Sequence, residues 1–335
     1  MPTDSQTIAA FGAGSWGTAV AMQMARCGHH VKMWGRDSEQ MQAMIESRSN
    51  ERYLPGIAFP DLLEPQVDFA ATCQGCTDFM VSVPSHAFRE TLEQLKPHFP
   101  ENGRIFWITK GLESGTGEFL HNVAMKILGP VPVAIVSGPT FAKEVAAGLP
   151  AAVTVASPNP EFAKDIVGYL HGNGMRAYTH GDIIGVQLGG AVKNVLAIAA
   201  GIIDGLKLGA NTRAGMITRG LAEMNRLGMK LGAQRETFMG LAGLGDLVLT
   251  CTDNLSRNRR MGLALAKGLS VEEAKAEIQQ VVEGITTTDE VWRVAQQFEV
   301  EMPITEQIYR VLYEGVTPQE ALQALLARTP KQEMA

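Results

Sequence analysis

Thr7-Ile8-Ala9-Ala10-Phe11-Gly12-Ala13-Gly14-Ser15-Trp16-Gly17 carries a short apolar strand straight into a G-x-G-x-x-G loop. Alone, such a loop is a weak signal. Here it closes a strand, opens a helical pattern over residues 18–27 and is followed by a second strand over 31–34, the context that a dinucleotide-binding loop requires. Gly12 suits a tight turn, Gly14 lets the backbone approach a pyrophosphate, and Gly17 lets helix and strand pack closely. Free N–H groups at the start of the helix then face the phosphates.

Outward from that loop the alternation continues. Further strand patterns at 78–83, 104–109, 133–137, 152–156 and 175–178 are separated by helical ones, which is how a parallel sheet covered on both faces reads. Several strand ends run into small or polar residues: Val83-Pro84-Ser85-His86, Thr109-Lys110-Gly111 and Ser137-Gly138-Pro139-Thr140. Ligands of open α/β sheets bind beyond the carboxyl ends of the strands, so these are candidate site loops. From about Gly181 the alternation stops. Helical patterns cover 182–206, 212–231, 257–267, 271–279, 286–298 and 303–314, and Pro318 suits the first turn of a last helix. The chain is expected to be α/β, with an N-terminal Rossmann-like parallel-sheet domain over 1–181 and an all-helical domain over 182–335. The active site is expected in the cleft between them.

Over 335 residues, 45% apolar and 19% charged content describes a globular chain of about two domains. A net charge of -6 argues against nucleic-acid or membrane-surface partners, so an anionic ligand must be held by a local cluster. The apolar run 183–206 is long enough to cross a bilayer. Lys193 and Asn194 interrupt its middle, which favours a buried helix and no membrane insertion. Met1-Pro2-Thr3-Asp4-Ser5-Gln6 lacks the basic and apolar regions of a leader, so a cytoplasmic location is expected. Four cysteines suit that compartment. Cys73-Gln74-Gly75-Cys76 has no second pair or nearby histidines to complete a metal site, and no metal is expected.

Four features bear on chemistry. After the second strand, where an NAD site would carry an acid, the chain reads Trp34-Gly35-Arg36-Asp37. A guanidinium suits a 2′-phosphate and so favours NADPH, while Asp37 is one step away and available to a ribose. Lys193, a cation in the middle of an apolar helix, is either a proton-transfer group with a lowered pKa or a structural lysine paired with a buried carboxylate. Ser256-Arg257-Asn258-Arg259-Arg260, at a helix start, is either a phosphate site or an exposed charged face. Gly243-Leu244-Gly245-Asp246 presents a carboxylate that could simply cap a helix.

With these blocks, and with Thr109-Lys110-Gly111-Leu112-Glu113, Ser137-Gly138-Pro139-Thr140-Phe141-Ala142-Lys143-Glu144 and the run 185–194, the chain resembles bacterial NAD(P)-dependent glycerol-3-phosphate dehydrogenases over nearly its whole length. The resemblance implies reversible reduction of dihydroxyacetone phosphate to sn-glycerol 3-phosphate for glycerophospholipid synthesis. It also implies a helical domain of the 6-phosphogluconate dehydrogenase C-terminal kind, a homodimer, and NADPH as cofactor with NADH as the alternative. By carry-over, Lys193, Lys110 and Asp246 are catalytic. Gly12, Gly14, Ser15, Trp16, Gly17, Arg36, Lys110, Ala142, Arg257, Val281 and Glu283 meet the cofactor. Lys110, Gly138, Thr140, Lys193, Asp246, Ser256, Arg257 and Asn258 meet the substrate, with Asn194 and Thr250 as further candidates. Competing readings are a 3-hydroxyacid dehydrogenase or ketopantoate reductase acting on a carboxylate, and a catalytically silent NADPH sensor whose helical domain meets a protein partner; the mark of the last would be loss of Lys193, Lys110 or Asp246, and all three are present.

Overall fold

Eight strands pair into one sheet in the computed structural model, which describes residues 5–330 and 332. The leader reading therefore falls partly, at Met1–Asp4, outside the described residues, as does the end of the helical domain at residue 335. The strands are β1 (Thr7–Phe11), β2 (His30–Trp34), β3 (Leu63–Gln66), β4 (Asp78–Val81), β5 (Arg104–Trp107), β6 (Val133–Ser137), β7 (Ala151–Ala156) and β8 (Met175–His180). Their order is β3-β2-β1-β4-β5-β6-β7-β8. The order reverses at β1: the chain moves first to β2 and β3 on one side, then to β4 and onward on the other. The glycine loop leaves the carboxyl end of β1 at this switch point, where open α/β sheets bind ligands.

The sheet is mostly parallel, with one exception. β7 runs antiparallel to β6, pairing Ile135 with Ala156 and Ser137 with Thr154. The connection between them holds only the five-residue helix Ala142–Ala146 and does not cross a sheet face. It stays at the ligand end instead, which keeps Gly138, Thr140 and Ala142 beside the other strand-end loops. β3 is a strand that the sequence reading does not anticipate. Leu-Glu-Pro-Gln has no apolar alternation, and a proline is tolerated there because β3 is an edge strand.

Apolar side chains fill both faces of the sheet, and a third cluster fills the helical half. The axis of that half is the helix Ile183–Gly205, buried without interruption from residue 185 to 203. Helices Gly209–Lys230, Asp246–Thr252, Arg257–Ala266, Glu283–Gln297 and Pro303–Tyr313 pack around it. A helix that is apolar all round needs such a jacket, so its length and hydropathy are those of a core element. Backbones touch where it crosses Arg257–Ala266: a Cβ on Gly201 would lie 2.0 Å from the Arg259 carbonyl oxygen, and one on Gly262 would lie 2.0 Å from that of Ile198. This close crossing seats Asn258 against Asn194, with Asn258 Nδ2 donating to Asn194 Oδ1 at 2.9 Å.

Candidate active site

The glycine loop has the geometry that its glycines suggest. Gly12 sits at φ 113°, in the left-handed region. A Cβ on Gly17 would lie 2.2 Å from the Gly12 carbonyl oxygen, whereas one on Gly14 would meet nothing within 4 Å. The helix starts at Ser15, three residues earlier than expected, so Gly17 lies in its first turn. No side chain caps it, and Thr18 N–H is the first to bond back, to the Gly14 carbonyl at 3.0 Å. The amides of Ser15, Trp16 and Gly17 are thus open to an anion above an unobstructed Gly14. A pyrophosphate-bearing cofactor fits this loop.

Beyond β2, Arg36 is exposed and, among the described residues, has no hydrogen-bond or ion-pair partner. Asp37 is already engaged. Its carboxylate caps the helix Ser38–Ser47 through Gln40 N–H at 3.0 Å and pairs with Arg52 at 2.9 Å. That leaves the guanidinium as the free group just beyond β2, where dinucleotide folds commonly meet the ribose.

On the other side of the switch point, three groups from three elements converge. Lys110 follows β5, Lys193 lies mid-way along the central helix, and Asp246 opens the helix Asp246–Thr252. Asp246 Oδ2 accepts from Lys110 Nζ at 2.6 Å and Asp246 Oδ1 accepts from Lys193 Nζ at 2.6 Å. Lys193 also donates to Thr250 Oγ1 at 3.0 Å, and Lys110 to the Gly138 carbonyl at 3.2 Å. An ammonium has three hydrogens, so each lysine commits two to the protein and keeps one.

The chain positions Asp246 by backbone contact. Residues 241–245 form a π turn, a rare element that recurs at functional sites. It docks on the central helix at Gly189, where a Cβ would lie 2.5 Å from the Ala242 carbonyl oxygen. Gly189 and Lys193 are four residues apart and share a face, so docking at one delivers Asp246 to the other. Asp182 fastens the segment before the turn. Its carboxylate accepts from Gly185 N–H at 2.8 Å, Gln234 N–H at 2.8 Å and Thr237 Oγ1 at 2.6 Å.

Burial governs the titration of the cluster. It pulls the Lys193 ammonium down from its ordinary value to about 8; Asp246 opposes this shift and Lys110 adds to it. Burial also works against the Asp246 carboxylate, but the two lysines outweigh it and hold that group below the ordinary carboxylate range. Two ammoniums share one carboxylate, so one positive charge is left uncompensated. Negative charge that develops on a bound molecule would be drawn there.

The basic run divides. Ser256 caps the helix Arg257–Ala266 by accepting from Arg259 N–H at 3.2 Å. Arg257 is half-buried and has no partner among the described residues. Asn258 accepts from Gly284 N–H at 2.9 Å, which ties this helix to the start of Glu283–Gln297 and brings Glu283 and the exposed Val281 near it. Asn194 is buried with Nδ2 unpartnered. Arg259 is instead tied to Asp204, a carboxylate near the end of the apolar run 183–206. The available signal was a carboxylate at one end of a buried helix and an arginine cluster with no acid of its own.

Thr140 Oγ1 donates to the Gly138 carbonyl at 3.2 Å, beside Lys110. Ala142 opens the short helix held to Ser15–Arg26 by Arg26 Nη1, which donates to the Val145 carbonyl at 3.0 Å. Cys73 and Cys76 are free, buried thiols, and Cys73 donates to the Phe69 carbonyl at 3.3 Å. Burial, with Cys76 alongside, pushes the Cys73 thiol up to about 12, far from a reactive thiolate.

Comparison with known proteins gives concordant matches. Residues 7–163 match the family described as NAD-dependent glycerol-3-phosphate dehydrogenase N-terminus, and residues 182–323 match its C-terminus. A glycerol-3-phosphate dehydrogenase [NAD(P)+] of Yersinia pestis (strain Pestoides F) is 54% identical over 335 residues, covering 99% of each chain. The crystal structure of glycerol-3-phosphate dehydrogenase from Coxiella burnetii superposes with a TM-score of 0.94 at 51% identity, covering 97% of this chain and 99% of that one. The structure of the Saccharomyces cerevisiae enzyme gives a TM-score of 0.82 at 25% identity over 95% of this chain and 98% of that one.

Proposed function

The chain belongs to the NAD-dependent glycerol-3-phosphate dehydrogenase family, and from that premise we propose how its own residues carry out the reaction. As an NAD(P)-dependent oxidoreductase it interconverts dihydroxyacetone phosphate and sn-glycerol 3-phosphate. The bound nicotinamide supplies or takes the hydride. Lys193 Nζ gives the proton to the ketone oxygen as negative charge grows there, and recovers it in the reverse direction. Lys110 steadies the same oxygen, while Asp246 orients both side chains. The observation that carries this assignment is the shared carboxylate, which leaves each lysine one uncommitted N–H and the cluster one unbalanced positive charge.

Ser256, Arg257 and Asn258 take the substrate phosphoryl group on the open first turn of their helix, with Asn194 Nδ2 as a further donor; Gly138 and Thr140 line the opposite wall. Gripping a remote phosphate holds the reacting carbon in place. Gly12, Gly14, Ser15, Trp16, Gly17, Arg36, Ala142, Val281 and Glu283 form the cofactor side, with Lys110 and Arg257 reaching both ligands. A domain division at 181/182, where the strand alternation stops, a cytoplasmic location, which the cysteine usage suits, and a homodimer, which the resemblance implies, belong to the same reading. Purified protein assayed with NADPH and NADH crossed against dihydroxyacetone phosphate and unphosphorylated dihydroxyacetone tests it. The phosphorylated ketone should be strongly preferred, and turnover of a carboxylate ketoacid alone would overturn the assignment.

Arg36 supports NADPH as the preferred cofactor. Arg36→Ala is expected to raise the KM for NADPH by about tenfold, the worth of one charge-assisted phosphate contact, and to leave the KM for NADH nearly unchanged. Equal losses for both cofactors would remove the 2′-phosphate contact from the reading.

A further inference from the structure

Arg259 stands inside the basic run assigned to the substrate phosphate, yet its guanidinium is held from within the protein. Nη2 and Nε reach Asp204 Oδ2 at 2.5 and 3.2 Å, and Nη1 donates to Asn254 Oδ1. Asp204, in the last turn of the central helix, also pairs with Arg213 at 2.6 Å. The Arg259 and Asp204 side chains are only 10% and 13% exposed. Each of the three Arg259 guanidinium nitrogens is therefore engaged within the protein, unlike those of Arg257.

What this fork holds is the loop ahead of the helix. Residues 252–255 are exposed, and the loop turns on itself: Asp253 Oδ1 accepts from Leu255 N–H at 2.7 Å, and the Asp253 carbonyl from Ser256 N–H at 3.2 Å. Among the described residues, Asn254 has no hydrogen-bond partner other than Arg259. We propose that Arg259 is a positioning residue: braced on Asp204, it fixes Asn254 and the loop entering its helix, so that Ser256, Arg257 and Asn258 meet the substrate phosphoryl group as a preformed cradle. This rests on the phosphate assignment above. A cradle ordered in advance binds more tightly because less freedom is lost on binding. Only a planar fork serves both Asp204 and Asn254; a lysine keeps the charge and reaches one of them.

Two variants test the brace. Asn254→Ala removes the outer link at an exposed loop and leaves the buried ion pair in place. Its KM for dihydroxyacetone phosphate should rise about fivefold, the scale of one positioning hydrogen bond. Its kcat, its thermal midpoint and its kcat/KM on unphosphorylated dihydroxyacetone should stay at wild-type values, and its KM for NADPH, which Arg257 also reaches, should rise less than that for dihydroxyacetone phosphate. Arg259→Lys should raise the same KM about tenfold or more despite the retained charge. An unchanged KM in Asn254→Ala would overturn the proposal, as would a wild-type KM in Arg259→Lys or a parallel rise in the KM for NADPH. If Arg259→Lys does not fold, Asn254→Ala decides alone. A wild-type enzyme that did not favour the phosphorylated ketone would instead overturn the phosphate assignment on which the brace depends.

Discussion

Lys193→Met is expected to lower turnover of dihydroxyacetone phosphate by about 10²- to 10⁴-fold, the range for removing a placed proton-transfer group, while NADPH binds with near wild-type affinity. Methionine keeps the unbranched shape of the buried stem, so the packing of the central helix is preserved. Asp246 keeps its bond to Lys110 and stays paired. What disappears is the proton and the one unbalanced positive charge of the cluster, because Lys110 and Asp246 then cancel. NADPH titration by fluorescence and steady-state turnover separate the two effects. Near-normal turnover would overturn the role given to Lys193.

The same residue sets an expected pH dependence. Burial places Lys193 near 8, and ketone reduction needs its charged form. Its kcat/KM should be flat below about pH 8 and fall above it. Alcohol oxidation needs the neutral amine, so that direction should rise towards pH 8 and level off. Both limbs should vanish in Lys193→Met.

Much of this is legible in the sequence because local pattern and tertiary role agree. β1 and β6 fall on their expected bounds, and the central helix within a residue of its own. The direction of β7 is not legible, since alternation is the same in parallel and antiparallel strands and only the path of the 138–150 connection distinguishes them. The π turn is hidden for a related reason. Gly243 and Gly245 read only as the bounds of a turn, and it is the bare backbone of Gly189, on the central helix, that makes a tight docked structure of it. Asp246 alone suggests a helix cap, but it caps nothing and is taken up by two lysines. For Lys193 the ion pair of the structural alternative is present, and the second lysine on the same carboxylate leaves the charge on which the proposed chemistry rests. Arg259 shows the limit of motif reading, because a sequence cannot say which arginine of a cluster points inward.

Asp246→Asn is the complementary experiment, since it removes the shared anion and leaves both cations. Breaking a buried ion pair from one side costs about 3–5 kcal/mol, so a marked fall in thermal midpoint is expected near neutral pH. Asp246 supports the charged form of Lys193, whereas burial and Lys110 oppose it. Without the carboxylate, only the opposing influences remain, and the Lys193 pKa must fall below its wild-type position. The sign of the linkage follows. A lysine whose folded pKa lies below its unfolded value makes the folded state bind fewer protons, so stability rises with pH between the two values. In the variant that window opens at lower pH, and its stability deficit should narrow as pH climbs towards 8. Activity should follow the same proton: the high-pH limb of ketone reduction should move to lower pH, with turnover at pH 8 reduced by about 10²-fold. If the limb stayed in place while the protein was destabilised, Asp246 would be a structural partner of the lysines and not the group that keeps Lys193 charged for transfer.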